Sequence, residues 1–323
     1  MIVSRVRQTI VRRGLLEGGE RVVVACSGGP DSVAMAHVLG RLARPLRLSL
    51  TLAVVDHGLR EVSHEVALVA ALGNDLAIPH RLLPVDVSPD GSTQASARRA
   101  RYEALHRLAR ELGATRIAVG HTRNDQAETV LERIFRGASI SGLGGIVPER
   151  QDGVIRPLID VRRADVMAHL RHHGLSYASD PSNRDTRFRR ARIRALLPTL
   201  EAEDPRVVEH LADLADDARA AERSLAHIGR GLFEEARGGA SERALKIAPL
   251  AAAEEAPRRW AIRRFLAVVT GEAPKRSHLV AVDDLVIGRV GPDAEVRLGD
   301  DAVLRRKGAE VVVIMKKREN PGR

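Results

Sequence analysis

The sequence predicts an α/β protein: a doubly wound, parallel five-stranded sheet, then a helical linker, then a small C-terminal α+β domain. Three observations carry that reading. Up to residue 173, short β-branched runs alternate strictly with amphipathic helical stretches, the pattern of βαβ units around a parallel sheet. Three of the four strand ends at 27–32, 56–60, 86–88 and 120–125 are glycine-rich or charged, where ligands of such sheets bind. After residue 205 the alternation gives way to long helical spacing.

Each element can be justified in order. MIVSRVRQTIVRRGLLEGGE (1–20) is basic and amphipathic without a signal-peptide core. A strand follows so closely that this stretch reads as a first helix of the fold rather than a transit peptide. Residues 21–26 are a β-branched run between glycines, and so a buried strand. A helix is expected over 30–43, with Pro30 in its first turn and Ser27 or Ser32 near it as cap. Strands are then expected at 48–58, 80–87, 115–122 and 154–160. The helices between and after them are expected at 62–76, 92–113 and 123–137, with a last one ending at 173. Val207, Leu211, Leu214, Ala218, Ala221, Leu225, Ile228 and Leu232 recur at spacings of four and three, giving one long helix with an apolar seam. That seam suits packing on its own domain or a homodimer contact. Residues 257–270 give a helix carrying Arg258, Arg259, Arg263 and Arg264, and 295–317 two or three short antiparallel strands. The expected domains are 1–200 (catalytic), 201–240 (helical linker) and 241–323 (small, basic, C-terminal).

Composition narrows the function. The chain has 323 residues, suiting two domains. No apolar run approaches the roughly 20 residues of a membrane span, so no membrane partner is expected and the cytoplasm is the expected compartment. A single cysteine, Cys26, precludes an intrachain disulfide or a cysteine zinc site, and reads as a small buried residue. A net charge of +10 with only five lysines means that arginine supplies nearly all the positive charge. Arginine suits bidentate phosphate contact, so nucleic acid is an expected partner. Aromatics are 2% of the chain, too few for a broad base-stacking platform.

The stretch VVVACSGGPDSVAMAHVL (22–39) has the layout of a phosphate-binding turn. Gly28 and Gly29 allow close backbone approach to an anion, and the helix after them offers free N–H groups and its positive dipole end. Neither GxxxxGK[ST] nor GxGxxG is present. Asp31 is the informative residue: an aspartate beside phosphates requires a cation between them, usually Mg²⁺. Further on, His121, Asp125 and Glu128 share one face if a helix begins at once. A metal cluster, a solvated charged face and a substrate seat all fit that spacing.

SGGPDS (27–32) resembles the SGGxDS loop of the N-type ATP pyrophosphatases, the PP-loop superfamily with its adenine nucleotide alpha hydrolase-like fold. Members cleave ATP between the α and β phosphates, adenylate an oxygen, and replace it with a nitrogen or sulfur nucleophile. VDHGLR (55–60), ARRARYEAL (97–105), GHTRNDQAETVLERIFRGASISGLGGI (120–146) and SDPSNRDTRFRRARIRALLP (179–198) narrow the likeness to the tRNA(Ile)-lysidine synthase family. RRWAIRRFLAVVTGEAPKRSHLVAVDDL and LRRKGAEVVVI resemble, more weakly, that family's small substrate domain. The extra C-terminal domain of longer members is not expected here.

The resemblance implies that ATP adenylates the carbon-2 oxygen of the wobble cytidine in CAU-anticodon tRNA(Ile), and that free L-lysine then displaces AMP to give lysidine. It implies ATP contact by Ser27, Gly28, Gly29, Pro30, Asp31, Ser32 and His57, with Asp31 holding Mg²⁺ and Arg60 near the adenylate. Asp125 and Glu128 would hold the lysine ammonium, with Asp125 or His121 as its base. Arg101 would stabilise the leaving group's charge, and Arg190 and Arg194 would contact tRNA beside the loop carrying Asp180, Ser182, Asn183 and Asp185. Two departures stand out: Ala191 where many members carry Asn, and Asn124 for a frequent Asp. Residues 137–146 read as a glycine-rich flap or as an ordinary loop. The alternative, a tRNA thiolase on the same loop, needs a cysteine pair that this chain lacks. A non-catalytic nucleotide-binding module would have no use for Asp31, Asp125 and Glu128 together.

Overall fold

A computed structural model describes residues 2–56, 63–85, 93–178, 189–237, 241–299 and 302–315. Two compact units divide between Asp217 and Ala218. The first holds α1 (Ile2–Arg13), β1 (Arg21–Ala25), α2 (Pro30–Leu46), β2 (Ser49–Asp56), α3 (Ser63–Leu76), β3 (His80–Pro84) and α4 (Thr93–Leu112). It continues with β4 (Arg116–Ala118), α5 (Arg123–Ile134), α6 (Ile140–Leu143), β5 (Val154–Ile155), α7 (Arg163–His172), α8 (Arg189–Glu203) and the start of α9 (Val207–Ala236).

The five strands are all parallel, in the order β3-β2-β1-β4-β5. The chain winds outward one way from β1 and the other way from β4, so the topological switch point, where such sheets bind ligands, lies between these two strands. The continuous apolar run of β1 follows from burial on both faces. Val22 and Val24 pack with Val38, Leu39, Leu158 and Leu170 on one side, while Val23 packs with Leu105, Leu108 and Ile117 on the other.

Two strands are shorter than expected. β4 ends at Ala118 because the His121 N–H turns back to the Val119 carbonyl (3.0 Å), and Thr122 then caps a helix. β5 stops at Ile155 because Arg156 leaves the sheet edge: its N–H donates to the Pro148 carbonyl (2.9 Å) and its guanidinium to Val147 (2.6 Å). The ends expected for the second and third strands, 57–58 and 86–87, lie outside the described residues.

The second unit holds the rest of α9, then β6 (Ala244–Lys246), α10 (Ile247–Ala252), α11 (Glu255–Thr270), α12 (Arg276–Val286), β7 (Glu295–Arg297), β8 (Ala302–Lys307) and β9 (Glu310–Met315). Its antiparallel sheet runs β6-β9-β8-β7 around a core of Phe265, Leu266, Leu285, Leu304 and Val311. Of the two or three strands expected over 295–317, three are present by Met315; β6 joins them from well upstream of β7 and gave no pattern long enough to read. Buried Asp283 is held by Arg258 Nε (2.6 Å) and Arg259 Nε (2.8 Å), and Arg263 bonds Glu222 (2.8 Å). Three of the four arginines on α11 therefore serve the unit's own structure.

The buried apolar side chains on α9 are Val208, Ala212 and Ala215, each one position after an expected seam residue, Ala218 of the seam itself, and Phe233 and Ala236 near the end of the helix. Leu214 and Ile228, which the seam would bury, are exposed. Alanine has no large side chain to mark it as the packed face in a pattern of leucines. Among the described residues no helix is long and apolar enough to cross a membrane.

Candidate active site

The PP-loop segment closes at the carboxyl end of β1. Gly29, in extended conformation, is the N-cap of α2, with Pro30 inside the first turn and no side-chain cap. The two serines expected as caps instead brace the loop. Ser32 Oγ donates to the Gly29 carbonyl (2.9 Å) and accepts from the Ser27 N–H (3.1 Å), with Ser27 Oγ at 3.3 Å. Gly28 is required twice over: its φ is +77°, and a Cβ would come within 3.0 Å of the Glu65 side chain. Gly120, just beyond β4, packs on the Asp31 and Ser32 backbone, where a Cβ would sit 3.1 Å from the Asp31 carbonyl carbon. The switch point thus brings the loop against the chain that leads to α5.

A capping box starts α5. The Thr122 N–H and hydroxyl both donate to Asp125 Oδ2 at 2.8 Å, fixing one edge of that carboxylate. Its other oxygen, Oδ1, accepts from Arg190 Nη2 (2.8 Å). Glu128, 2% exposed, takes Arg194 Nε (2.7 Å) and Nη2 (3.0 Å) in a fork, and Arg190 Nε at 3.2 Å. Asp31 Oδ2 accepts from Arg163 Nη2 (2.7 Å), and the same guanidinium nitrogen lies 3.7 Å from Asp125. Three carboxylates from α2 and α5 and three arginines from α7 and α8 form one network.

The network sets the protonation of its members. Burial lifts Asp31 to about 6 against the opposing pull of Arg163, with Asp125 and Glu128 adding to the rise. Burial would also raise Asp125, but Arg190 and Arg163 hold it below the usual carboxylate range. His121 is drawn down to about 4 by burial, so it is neutral at pH 7, and its Nδ1 is buried with no hydrogen-bond partner among the described residues. Asp31 Oδ1 is likewise buried without a partner among the described residues. An aspartate with one free, desolvated oxygen at a phosphate loop fits a hard divalent cation such as Mg²⁺.

Of the residues expected at the site, Asp31, Asp125, Glu128, Arg190 and Arg194 come together, and Ser27, Gly28, Gly29, Pro30 and Ser32 form the adjoining loop. His121 precedes the N-cap of α5, so the shared helical face expected for it does not form; it faces Asp125 from the loop instead. Arg101 stands exposed on α4. His57, Arg60, Asp180, Ser182, Asn183 and Asp185 lie outside the described residues. The 137–146 segment is tied down at its end, where the Ile146 N–H donates to Gln126 Oε1 (2.6 Å) and Arg133 reaches the Gly142 carbonyl (2.5 Å). Arg163 was not foreseen; its place at a helix start after the last strand was the available signal. Thr122 was legible too, since Thr-x-x-Asp is a capping-box spacing.

Residues 2–200 match the family model of a PP-loop domain, and residues 245–309 match that of a TilS substrate binding domain. A tRNA(Ile)-lysidine synthase of Symbiobacterium thermophilum is 47% identical over 71% of this chain and 50% of its own length. One of Methylobacterium nodulans is 38% identical over 84% of this chain and 81% of its own. The chain spans from half to about two thirds of the length of the first of these relatives. Among solved structures, the U34-tRNA thiolase NcsA of Methanococcus maripaludis, with its [4Fe-4S] cluster, matches with a TM-score of 0.56. It is 18% identical over 67% of this chain and 77% of its own, a likeness of fold.

Proposed function

The chain belongs to the tRNA(Ile)-lysidine synthase family, and on that premise we propose that it ligates free L-lysine to carbon 2 of the wobble cytidine of CAU-anticodon tRNA(Ile). ATP is consumed to AMP and PPi. The observation that carries this reading is the convergence of Asp31, Asp125 and Glu128 on one arginine-lined site at the switch point, directly beside a PP-loop that has no γ-phosphate lysine.

The reaction has two steps. The cytidine carbon-2 oxygen attacks the α-phosphorus of ATP, and PPi leaves. The lysine ε-nitrogen then bonds to carbon 2, the C–O bond breaks, and AMP departs. Backbone N–H groups of the Gly28–Gly29 turn and the start of α2 would seat the pyrophosphate, with Ser27, Pro30 and Ser32 fixing the turn and His57 on the adenine nucleotide. Asp31 would hold Mg²⁺, which supplies charge neutralisation at the phosphates. Arg101 would oppose the charge that develops on the leaving group.

Asp125 and Glu128 are arranged to receive a cation, because each is now bonded to one. The lysine ammonium would replace Arg190 or Arg194 there. The freed guanidinium would then be available to a tRNA phosphate, a ligand that suits it. The lysine seat and the tRNA contact are thus two states of the same arginines, which favours tRNA arriving before lysine. Only the neutral amine attacks. Asp125 and the neutral His121 are the two acceptors at hand for its proton; once the C–N bond begins to form, that proton becomes acidic enough for a weak base.

ATP, lysine and tRNA meet in the cytoplasm, where we place the protein. Exposed Leu214 and Ile228 on α9 make a homodimer testable by sedimentation. The activity is tested by following labelled ATP. AMP and PPi should form only with a CAU-anticodon tRNA(Ile), and turnover should need lysine. ADP formation, or AMP release without tRNA, would overturn the proposal.

A further inference from the structure

Helices α2 and α7 run in parallel, and two contacts set their register. Asp31 in the first turn of α2 bonds Arg163, the first residue of α7. Two turns further along both helices, His37 Nδ1 lies 3.0 Å from His169 Nε2. His173, the C-cap residue of α7, closes a triangle: its ring centroid is 4.7 Å from that of His37 and 4.5 Å from that of His169. One donor nitrogen from each of the three rings lies within 4.8 Å of the others. The chemistry proposed above uses none of these residues.

Their geometry and surroundings suit a ligand set. The His37–His169 contact is an N–H···N hydrogen bond, so one of its two nitrogens offers a lone pair and the other gives up a proton on binding a metal. Metal–imidazole bonds of about 2.0–2.1 Å put tetrahedral ligand nitrogens roughly 3.3 Å apart. His37 and His169 are already near that spacing, and His173, at the end of its helix, needs a swing of no more than about 1.5 Å to reach it. Three imidazoles with a fourth position left to water are a zinc-type set, and all-nitrogen donors select against Mg²⁺ and Ca²⁺. Arg41, one turn beyond His37, opposes a bound cation, while exposed His172 stands beside His173.

We propose that His37, His169 and His173 bind one Zn²⁺ ion, which staples α2 to α7. The staple would hold in register the two helices whose first turns present Asp31 and Arg163.

The test uses the full chain, free of any affinity tag and stripped of metal by a chelator that is then dialysed away. Zn²⁺ is titrated by calorimetry at pH 7.5 in the presence of excess Mg²⁺, and melting is followed with and without Zn²⁺. One equivalent should bind with micromolar or tighter affinity and raise Tm. His173→Gln, at a partly exposed position that spares the fold, and His37→Gln should each weaken binding at least tenfold and remove the Tm shift. Arg41→Gln should tighten it. Absence of saturable Zn²⁺ binding, or an affinity unchanged in either histidine variant, would overturn the proposal.

Discussion

Arg194 lies in a two-point fork on Glu128, with Nε 2.7 Å from Oε1 and Nη2 3.0 Å from Oε2. A buried carboxylate proposed to receive lysine is therefore already satisfied by an arginine proposed to receive tRNA. If the two roles alternate, removing the arginines should separate them. In Arg190→Ala/Arg194→Ala, lysine should bind the tRNA-free protein at least about tenfold more tightly, since its competitors are gone. Binding of tRNA should weaken, with the slope of log K against log[salt] reduced by about 1 for each phosphate that an arginine no longer holds. Calorimetry with lysine and filter binding with tRNA measure the two effects.

Asp31 should make the protein less stable as the pH rises toward neutrality. Its carboxyl titrates at about 6 in the fold and near 3.8 in the unfolded chain. Between those values the folded state holds more protons, so stability is greatest below about pH 4 and falls as pH rises through 6. The shift corresponds to roughly 3 kcal/mol. Asp31→Asn should be more stable than the parent at pH 7.5 in metal-free buffer, equal to it near pH 4, and inactive. Urea denaturation across pH 4–8 checks the first two, and AMP release the third.

Asp160 shows the opposite sign. Arg13 reaches it through Nε (2.8 Å) and Nη2 (2.5 Å) and Arg12 through Nη2 (2.8 Å), overcoming burial to depress its pKa to about 2. Its stabilisation is fully present above the unfolded value of 3.8 and is lost as pH falls through 2. Asp160→Asn should cost about 2 kcal/mol at pH 7, and the gap to the parent should close in acid urea melts.

Gly229 sits under Trp260, the sole tryptophan, and a Cβ there would come within 2.5 Å of the indole. Alanine normally stabilises a helix relative to glycine by up to about 1 kcal/mol. In Gly229→Ala the clash should reverse that sign, with a net loss of about 1–3 kcal/mol. A lower Tm and a red-shifted tryptophan emission are the expected readings.

Strand alternation and the Gly28–Gly29 turn made the sheet and its loop legible, because both are local patterns with a fixed period. Strand lengths were less so: β4 and β5 end where His121 and Arg156 turn away, and those choices depend on tertiary partners. Asp31, Asp125 and Glu128 could be picked out as charges at strand ends. Their pairing with Arg163, Arg190 and Arg194 could not, since the hydrogen-bonded partners lie 62 or more residues apart in sequence. On α9 the pattern of leucines pointed to a seam that starts one position before the buried Val208, Ala212 and Ala215 and meets the buried row at Ala218.

The most direct test of the central claim is nucleoside mass spectrometry of CAU-anticodon tRNA(Ile) after incubation with the protein, ATP and isotope-labelled lysine. The label should appear in the wobble cytidine alone, only with ATP present, and not in a tRNA of another anticodon. A wobble cytidine left unmodified while ATP is consumed, or a modified nucleoside that carries no lysine label, would contradict it.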